Sequence, residues 1–151
     1  MRFIGDYSAK VDAKGRVFLP SAFRKVLKAE DETSLMLRED VFQKCHVLYP
    51  QSVWNTQLDD LRRDLRLWNK KEQMMLRQFV LGTESVELDK EGRLLISKQK
   101  LQFAEIGDYV RFLAMIDRIE IWSKQALDEL MADREELGDD LERMFGQRSN
   151  D

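Results

Sequence analysis

A four-residue turn followed by an arginine occurs twice in this chain, and no other sequence feature limits its possible folds as strongly. The first occurrence lies within YSAKVDAKGRVFL (residues 7–19) and the second within ESVELDKEGRLLI (residues 84–96). Two residue pairs align at the same separation of 77 positions: Asp12 with Asp89, and Arg16 with Arg93. Self-similarity at one fixed separation indicates a duplicated structural unit. We therefore expect two copies of one small fold.

A second match lies further along each copy. Residues 46–50 (HVLYP) align with residues 119–123 (IEIWS), which lie 73 positions further on. Loops of different length between the matched segments would account for the smaller separation. We therefore divide the chain into a first repeat, residues 1–77, and a second repeat, residues 78–151, which ends in an acidic tail.

The start of each copy has the pattern of a β-hairpin. Short apolar runs flank the turns at residues 12–15 and 89–92, and each turn ends in glycine, which adopts a positive φ at little steric cost. The aspartate that begins each turn can bond the backbone of that turn. Four further strands are predicted, two in each copy, at residues 34–37, 45–49, 109–115 and 118–122. The pattern predicts an α+β chain in which β-structure dominates.

Helices are predicted between and after these strands. Pro20 suits the first position of a helix, and an apolar stripe at helical spacing follows it. In residues 51–68, apolar residues from Trp54 to Trp68 recur at alternating intervals of four and three positions. This spacing predicts a helical seam that contacts another subunit or the other copy. We expect a break near Asn69 before a further helix.

The charges are unevenly distributed along a chain whose formal net charge is −3. Residues 1–28 hold seven cations and two acids, whereas residues 124–151 hold four cations and nine acids. Phosphate binding depends on the local potential rather than on the net charge. The acidic tail therefore does not exclude a nucleic-acid-binding surface in the first copy.

The composition argues against several other classes of protein. With one cysteine, Cys45, and one histidine, His46, the chain cannot form an internal disulfide or supply four Cys or His ligands to a structural zinc ion. No apolar run approaches the ~20 residues of a membrane-spanning helix, and the N-terminus becomes polar too early for a signal peptide. We therefore expect a cytoplasmic protein with no metal, cofactor or membrane partner.

Catalysis also has little support in the sequence. Cys45 and His46 are neighbours, but adjacent residues of a strand point to opposite faces, so a buried thiol is the favoured interpretation. The acidic doublets at residues 59–60 and 139–140 fit solvated helix faces better than a metal pair. Because no set of nucleophile, base and oxyanion donor is recognisable, we assign no catalytic residue, no small-molecule substrate and no enzymatic activity.

The duplicated arginine admits two interpretations. Arg presents a rigid fork of donors that suits phosphate or the major-groove edge of guanine. Two copies related by a pseudo-twofold axis would place two such forks on one surface. Alternatively, Arg16 and Arg93 each pair with the aspartate of their own turn and serve only to hold it. The surrounding cations favour binding, and Lys10 and Lys14 are well placed for phosphates.

Several segments carry a resemblance to a known family. VDAKGRVFLPSAFRKVL resembles the swapped-hairpin unit of AbrB-like regulators, and the pair of Asp-x-x-Gly-Arg motifs in one chain resembles the MraZ family within that group. CHVLYPQSVW is similar to that family's strand-then-helix segment, and LGTESVELDKEGRLLI is similar to the beginning of its second copy. The similarity covers about residues 3–130.

The resemblance implies both a fold and a function. Two tandem AbrB-like units would interlock as swapped hairpins into one pseudo-dimeric double-split barrel capped by helices. The implied protein is a ring-like homo-oligomer that binds repeated double-stranded DNA boxes in a sequence-specific way. Its target would be the region upstream of the operon for cell division and cell wall synthesis, usually with repression, and it would be associated with the nucleoid.

The family's motif can be carried onto individual residues of this chain. Six residues are assigned to DNA binding or to shaping its turns: Arg16, Arg93, Lys14, Lys10, Asp12 and Asp89. The second copy departs from the pattern, because Glu91 stands at the position of Lys14, and Leu101 at that of Arg24. We therefore expect the first copy to dominate phosphate contact.

A second hypothesis belongs to another functional class. AbrB-like units also serve as antitoxins, whose tails wrap a toxin partner. The acidic segment at residues 128–142 would be such an arm. On this hypothesis the chain is a protein-interaction module rather than a DNA-binding regulator.

Overall fold

A computed structural model describes residues 1–132 and 136–146, in which pairs of strands are followed by one or two helices. The strands are β1 (Asp6–Lys10), β2 (Arg16–Phe18), β3 (Leu35–Glu39), β4 (His46–Pro50), β5 (Glu84–Val86), β6 (Arg93–Leu95), β7 (Tyr109–Ala114) and β8 (Ile119–Ser123). The helices are α1 (Ser21–Ala29), α2 (Gln51–Asp64), α3 (Lys70–Val80), α4 (Lys98–Phe103), α5 (Lys124–Leu130) and α6 (Glu136–Leu141), and a π-helical turn follows at Glu142–Gly146. The chain is therefore a mixed α+β protein.

The strands form one six-stranded antiparallel sheet and one two-stranded ribbon. The order in the sheet is β1-β7-β8-β4-β3-β5, and the ribbon consists of β2 and β6. β1 pairs with β7 and β5 pairs with β3, so the first strand of each copy lies beside a strand of the other copy. β4 and β8 pair in the middle of the sheet, around Val47 and Glu120. The pairings therefore follow a pseudo-twofold relation between the copies.

The expected fold class is confirmed in its coarse form but not in its detail. The mixed α+β structure and the mostly antiparallel sheet are both present. In the described residues, however, the sheet ends at β1 and β5, and no closed barrel is formed. The reason is that β2 and β6, each three residues long, pair with each other in a separate ribbon. The predicted double-split barrel is therefore not confirmed.

The main apolar core joins the ribbon to one face of the sheet. Its buried residues come from the ribbon, α1, the adjoining loops and the strands: Phe3, Val11, Val17, Leu19, Phe23, Leu27, Leu35, Leu37, Leu48, Leu94, Ile96, Val110, Phe112, Ile119 and Ile121. The ribbon contributes Val17 and Leu94, which are almost completely buried. Burial of these two side chains fixes the ribbon against the core and determines which of its faces points outward.

Helices cover the opposite face of the sheet. Val47 and Tyr49 alternate along β4 with a residue of the main core, so they point to the other side. There they pack with Trp54 of α2 and Phe79 of α3. Trp54 stacks on Phe79 with ring centroids 5.6 Å apart. This contact attaches the helical pair α2–α3 to the sheet.

The helix predicted at residues 51–68 is shorter than expected. α2 ends at Asp64, and Leu65 adopts an extended conformation with a ψ of 137°. The break near Asn69 is confirmed: its side chain accepts a hydrogen bond from Glu72 N at 3.1 Å and caps α3. A capping side chain stabilises the start of a new helix and so competes with continuation of the old one.

The predicted seam from Trp54 to Trp68 is wrong. Trp54 is buried against the sheet, whereas Trp68 lies between α2 and α3 and is 99% exposed. The two side chains cannot share one helical face, because α2 ends before Trp68. Trp54 is a core residue, and Trp68 contacts solvent in the isolated chain.

The C-terminal acidic segment is described only in part. The predicted arm at residues 128–142 contains the last three residues of α5 and all of α6, and residues 133–135 of it lie outside the described residues. Residues 147–151 of the predicted acidic tail also lie outside them. None of the helices within the described ranges is long and apolar enough to cross a membrane.

Candidate nucleic-acid interface

The first turn, residues 12–15, is closed by its own aspartate. Asp12 Oδ1 accepts hydrogen bonds from the backbone N of Lys14 at 2.9 Å and from that of Arg16 at 2.8 Å. The backbone N of Gly15 donates to Asp12 O at 3.0 Å. Gly15 has a φ of +87°, which residues with a Cβ rarely adopt. The local sequence therefore determines the shape of the turn.

The second turn, residues 89–92, repeats this arrangement. Asp89 Oδ1 accepts hydrogen bonds from Glu91 N at 3.0 Å and from Arg93 N at 2.8 Å. Gly92 has a φ of +85°. The matching hydrogen bonds and dihedral angle show that both copies of the motif build the same turn.

Each turn is also held by the opposite copy. Ile96 N donates to Gly15 O at 2.8 Å, and Leu19 N donates to Gly92 O at 3.0 Å. The contact at the first turn is so close that a Cβ on Gly15 would collide with the carbonyl oxygen of Ile96. The turns and the ribbon between them are therefore fixed relative to each other, because each copy's chain completes the other's hydrogen bonds.

Arg16 and Arg93 lie on the same face of the ribbon. Its register consists of three pairs: Arg16–Leu95, Val17–Leu94 and Phe18–Arg93. The central pair is buried in the core, so the two outer pairs form an outward face, made of Arg16, Phe18, Arg93 and Leu95. The arginines are diagonal neighbours on this face, a separation of roughly 7–8 Å between residues and somewhat less between Cβ atoms. The duplication thus brings two guanidinium groups to one surface.

Each arginine also pairs with the aspartate of its own turn. Arg16 Nε lies 2.8 Å from Asp12 Oδ2, and Arg93 Nε lies 2.7 Å from Asp89 Oδ2. The side chains remain partly exposed, 33% for Arg16 and 20% for Arg93. Each arginine therefore pairs with the aspartate of its turn and still lies on the outward face. In Arg16 the pairing engages Nε rather than the terminal nitrogen atoms.

The hydrogen bonds of each turn favour the charged form of its aspartate. The backbone hydrogen bond from Arg16 is the largest cause that lowers the pKa of Asp12. The backbone hydrogen bond from Arg93 acts in the same way on the pKa of Asp89. Both carboxylates are therefore ionised at neutral pH, where they hold the guanidinium groups in place.

Acidic side chains neutralise the two guanidinium groups to different extents. Arg93 Nη2 lies 3.4 Å from Glu91 Oε2, in addition to the contact with Asp89. The hydrogen bond with Asp89 is the largest cause that raises the pKa of Arg93. Within the described residues, Arg16 pairs with Asp12 alone. The first copy therefore presents the less neutralised guanidinium.

The predicted phosphate-binding lysines lie beside the first turn. Lys10 ends β1, and Lys14 lies exposed within the turn. Both line an open cavity of about 990 Å³ together with Phe18 and with Lys98 of α4. Lys98 was not recognised in the sequence, because only the tertiary fold brings α4 of the second copy next to the first turn.

Arg24, a cation of the first copy, reaches a position that the sequence did not predict. Its Nε donates to Leu19 O at 3.0 Å, and its side chain lies so close to Gly92 that a Cβ there would be 2.7 Å from Nη1. A cation of α1 thus reaches the second turn. Leu101, which aligns with Arg24, lies near Gly15 in the same way but carries no charge. No local pattern indicated this contact between the copies.

Cys45 and His46 form no catalytic pair. Both side chains are fully buried, but Cys45 packs with Trp122 and Leu127, whereas His46 Nε2 donates to Lys100 O at 2.7 Å. Burial raises the pKa of the Cys45 thiol well above its ordinary range. Burial also lowers the pKa of His46. A thiol that stays protonated is a poor nucleophile.

One aspartate of each acidic doublet pairs with an arginine three residues further along the chain. Asp60 lies 3.3 Å from Arg63, and Asp140 lies 3.2 Å from Arg143. These exposed ion pairs fit the predicted solvated helix faces. In residues 1–132 and 136–146, no cluster of three or more His, Cys, Asp or Glu side chains could hold a metal ion.

Comparison with known proteins gives a consistent result over nearly the whole chain. The family model described as "MraZ protein, putative antitoxin-like" matches residues 2–78 and again residues 79–148. A protein of Phocaeicola vulgatus is 49% identical over 150 residues, covering 99% of this chain and 97% of its own length. A protein of Bacteroides thetaiotaomicron is 46% identical, covering 96% and 93% of the two chains. Both carry the name "Transcriptional regulator MraZ".

Proposed function

This chain belongs to the MraZ family of transcriptional regulators, and from that premise we propose that it binds double-stranded DNA through the outward face of the ribbon. The family model matches both halves of the chain, and the relatives carry the name of a regulator. No enzymatic activity is indicated for them. We treat residues 1–77 and residues 78–151 as the two AbrB-like units that jointly build this surface.

The observation that carries the proposal is a two-stranded ribbon with two guanidinium groups on one face. The major groove of B-DNA is about 12 Å wide and admits a two-stranded ribbon. Arg16 and Arg93 lie diagonally on the outward face, so both can reach base edges within one groove. Bidentate contacts from Arg to guanine O6 and N7 are the commonest specific contacts of this kind.

We assign the contacts to phosphate mainly to the first copy. Lys10 and Lys14 lie beside the first turn, and Asp12 and Asp89 maintain the shapes of the two turns. Glu91 beside Arg93 repels phosphate at the second turn. Approach of the DNA backbone is therefore more favourable on the side of the first copy.

We further propose that the protein acts as a ring-like homo-oligomer. Trp68 and Leu81, at opposite ends of α3, are 99% and 80% exposed. Four further apolar side chains within or just before α3 are also exposed: Leu67, Met74, Met75 and Val80. Exposed apolar side chains that collect on one element mark interaction surfaces. Several ribbons on one ring would engage several DNA boxes, which increases avidity by ~10²–10⁴ when the geometry matches. This gain would offset the weak attraction of a chain with a net charge of −3 to DNA.

The regulated genes belong to the same proposal. The protein would bind repeated boxes upstream of the operon for cell division and cell wall synthesis and would repress it. It would act in the cytoplasm in association with the nucleoid. This function requires no cofactor and no small-molecule substrate.

A titration of the purified protein with the duplex upstream of its own gene tests the proposal. We expect an affinity on the order of 10³-fold or more above that for an unrelated duplex of equal length. Each phosphate contact should add roughly 0.9 to the slope of log K against log salt concentration. Equal affinity for both duplexes, or a slope near zero, would contradict the proposal.

A protein-interaction module remains the second candidate function. The matched family is described as putative antitoxin-like, and residues 124–151 hold nine acids and four cations. A partner that co-purifies with the full chain, and is lost when residues 124–151 are removed, would support this candidate. Retention of such a partner by the shortened chain would count against it.

A further inference from the structure

Two apolar side chains occupy the outward face of the ribbon between the guanidinium groups. Phe18 is 52% exposed and Leu95 is 58% exposed, although Val17 and Leu94 beside them are buried. A single exposed apolar residue needs no explanation. Here, however, two such residues are held in register on the face that is proposed to contact DNA.

The register places each apolar side chain directly beside an arginine of the other copy. Leu95 lies opposite Arg16, and Phe18 lies opposite Arg93. Side chains of directly opposite residues have Cβ atoms ~4.5–5.5 Å apart. The Cζ atom of Arg93 lies 5.8 Å from the centre of the Phe18 ring. The outward face therefore consists of two rows, each with one guanidinium and one apolar group.

The spacing of these rows matches the spacing of base pairs. Residues two apart on a strand are separated by roughly 6.6–6.8 Å. This distance corresponds to about two base-pair steps of ~3.4 Å. Row one (Arg16 and Leu95) and row two (Phe18 and Arg93) would therefore span about three consecutive base pairs.

The major groove offers one apolar group to such a face, the C5-methyl group of thymine. Guanine offers the acceptors O6 and N7, which match a guanidinium. We propose that Phe18 and Leu95 contact the methyl groups of thymines next to the guanines contacted by Arg16 and Arg93. This inference rests on the proposed DNA binding and adds a preference for thymine. The apolar pair is then a determinant of specificity.

Replacement of thymine by deoxyuridine tests this inference, because it removes the methyl group and leaves base pairing intact. The probe is the duplex upstream of the gene, made with thymine and with deoxyuridine at each thymine of the segment that the protein protects. Removal of one buried methyl contact should weaken binding by about fourfold. The titration with the thymine duplex separately tests DNA binding itself.

Variants of Phe18 assign the effect to the ribbon. In Phe18→Ala we expect the preference for thymine over deoxyuridine to fall to about onefold at the thymine that Phe18 contacts. In Leu95→Ala the preference should fall in the same way at a second thymine, the one that Leu95 contacts. Phe18→Leu keeps an apolar side chain and should keep the preference. Phe42→Ala is the matched control, because Phe42 is an aromatic side chain, 87% exposed, in the loop between β3 and β4. Its preference should equal that of the wild-type protein.

The outcomes separate the two proposals. If the wild-type protein binds the thymine duplex specifically but is indifferent to deoxyuridine at every position, the thymine contact is excluded and DNA binding stands. If the preference persists undiminished in both Phe18→Ala and Leu95→Ala, the assignment to these side chains is wrong. If the wild-type protein does not bind the upstream duplex at all, both proposals are overturned.

Discussion

The carboxylate of Asp12 holds Arg16 at two points: Oδ1 accepts from its backbone N and Oδ2 accepts from its Nε, each at 2.8 Å. One residue thus fixes both the start of β2 and the direction of the guanidinium. The same relation joins Asp89 to Arg93 in the second copy. A guanidinium held in this way loses less conformational entropy when it binds a base or a phosphate.

Asp12→Ala should therefore weaken DNA binding while the protein stays folded. Arg16 would become free to rotate, and immobilising one long side chain on binding corresponds to an affinity loss of about two- to tenfold. Fluorescence anisotropy with the upstream duplex measures the loss, and circular dichroism checks the fold. Asp60→Ala, which removes the exposed partner of Arg63 on α2, is the control and should bind as the wild-type protein does.

The two turn glycines should differ in their response to alanine. Both have a positive φ, which costs an alanine ~1–2 kcal/mol. At Gly15 the added Cβ also collides with the backbone of Ile96, whereas at Gly92 it meets the side chain of Arg24, which can move. We expect Gly15→Ala to lower the free energy of unfolding by more than Gly92→Ala does. Urea unfolding midpoints measure both, and equal losses would show that the Ile96 contact is unimportant.

The buried imidazole of His46 should make the fold sensitive to mild acid. Burial lowers the pKa of His46 below its ordinary value of 6.5. The unfolded chain therefore binds a proton more readily than the folded one, and the free energy of unfolding falls as the pH drops below about 6.5. The slope from this one group cannot exceed about 1.4 kcal/mol per pH unit.

Urea unfolding at pH 7.5, 6.5 and 5.5 measures this dependence. His46→Gln removes the titrating group, so its unfolding free energy should change less over this range than that of the wild-type protein. The comparison is needed because burial raises the pKa of Glu120, which contributes with the opposite sign at lower pH. Parallel curves for the two proteins would rule out His46 as the source.

Self-association should depend on Trp68. Its side chain is 99% exposed between α2 and α3 and has no role in the core of the chain. We expect Trp68→Ala to reduce the mass of the assembly in sedimentation velocity experiments at micromolar concentration. Phe42→Ala removes another exposed aromatic side chain and should leave the mass unchanged. An unchanged mass in Trp68→Ala would remove Trp68 from the interface.

Local chemistry made part of this structure predictable from the sequence. The turn at residues 12–15 and its repeat at residues 89–92 could be predicted because Asp and Gly determine them within four residues. The end of α2 could not be predicted from apolar spacing, because the cap formed by Asn69 outweighs the periodicity that continues to Trp68. Capping and periodicity compete, and the sequence alone does not give their balance.

Long-range pairing was the part that the sequence could not supply. The contact of Arg24 with the turn at Gly92 joins the two copies, whose strands β2 and β6 pair in the ribbon, and no local pattern encodes it. The side chain of Arg16 is a similar case, since the sequence allowed either a pair with Asp12 or an outward position. The structure contains both, because the ion pair uses Nε at the edge of an exposed face.

The affinity of Arg16→Ala for the upstream duplex tests the central claim most directly. Arg63→Ala is the matched control, because Arg63 is also an exposed arginine paired with an aspartate, on α2. Loss of one bidentate guanine contact, worth ~1–3 kcal/mol of discrimination, should weaken specific binding by about five- to 150-fold while Arg63→Ala binds normally. If Arg16→Ala, folded and assembled as the wild-type protein is, binds the duplex with unchanged affinity, the ribbon does not read DNA through Arg16.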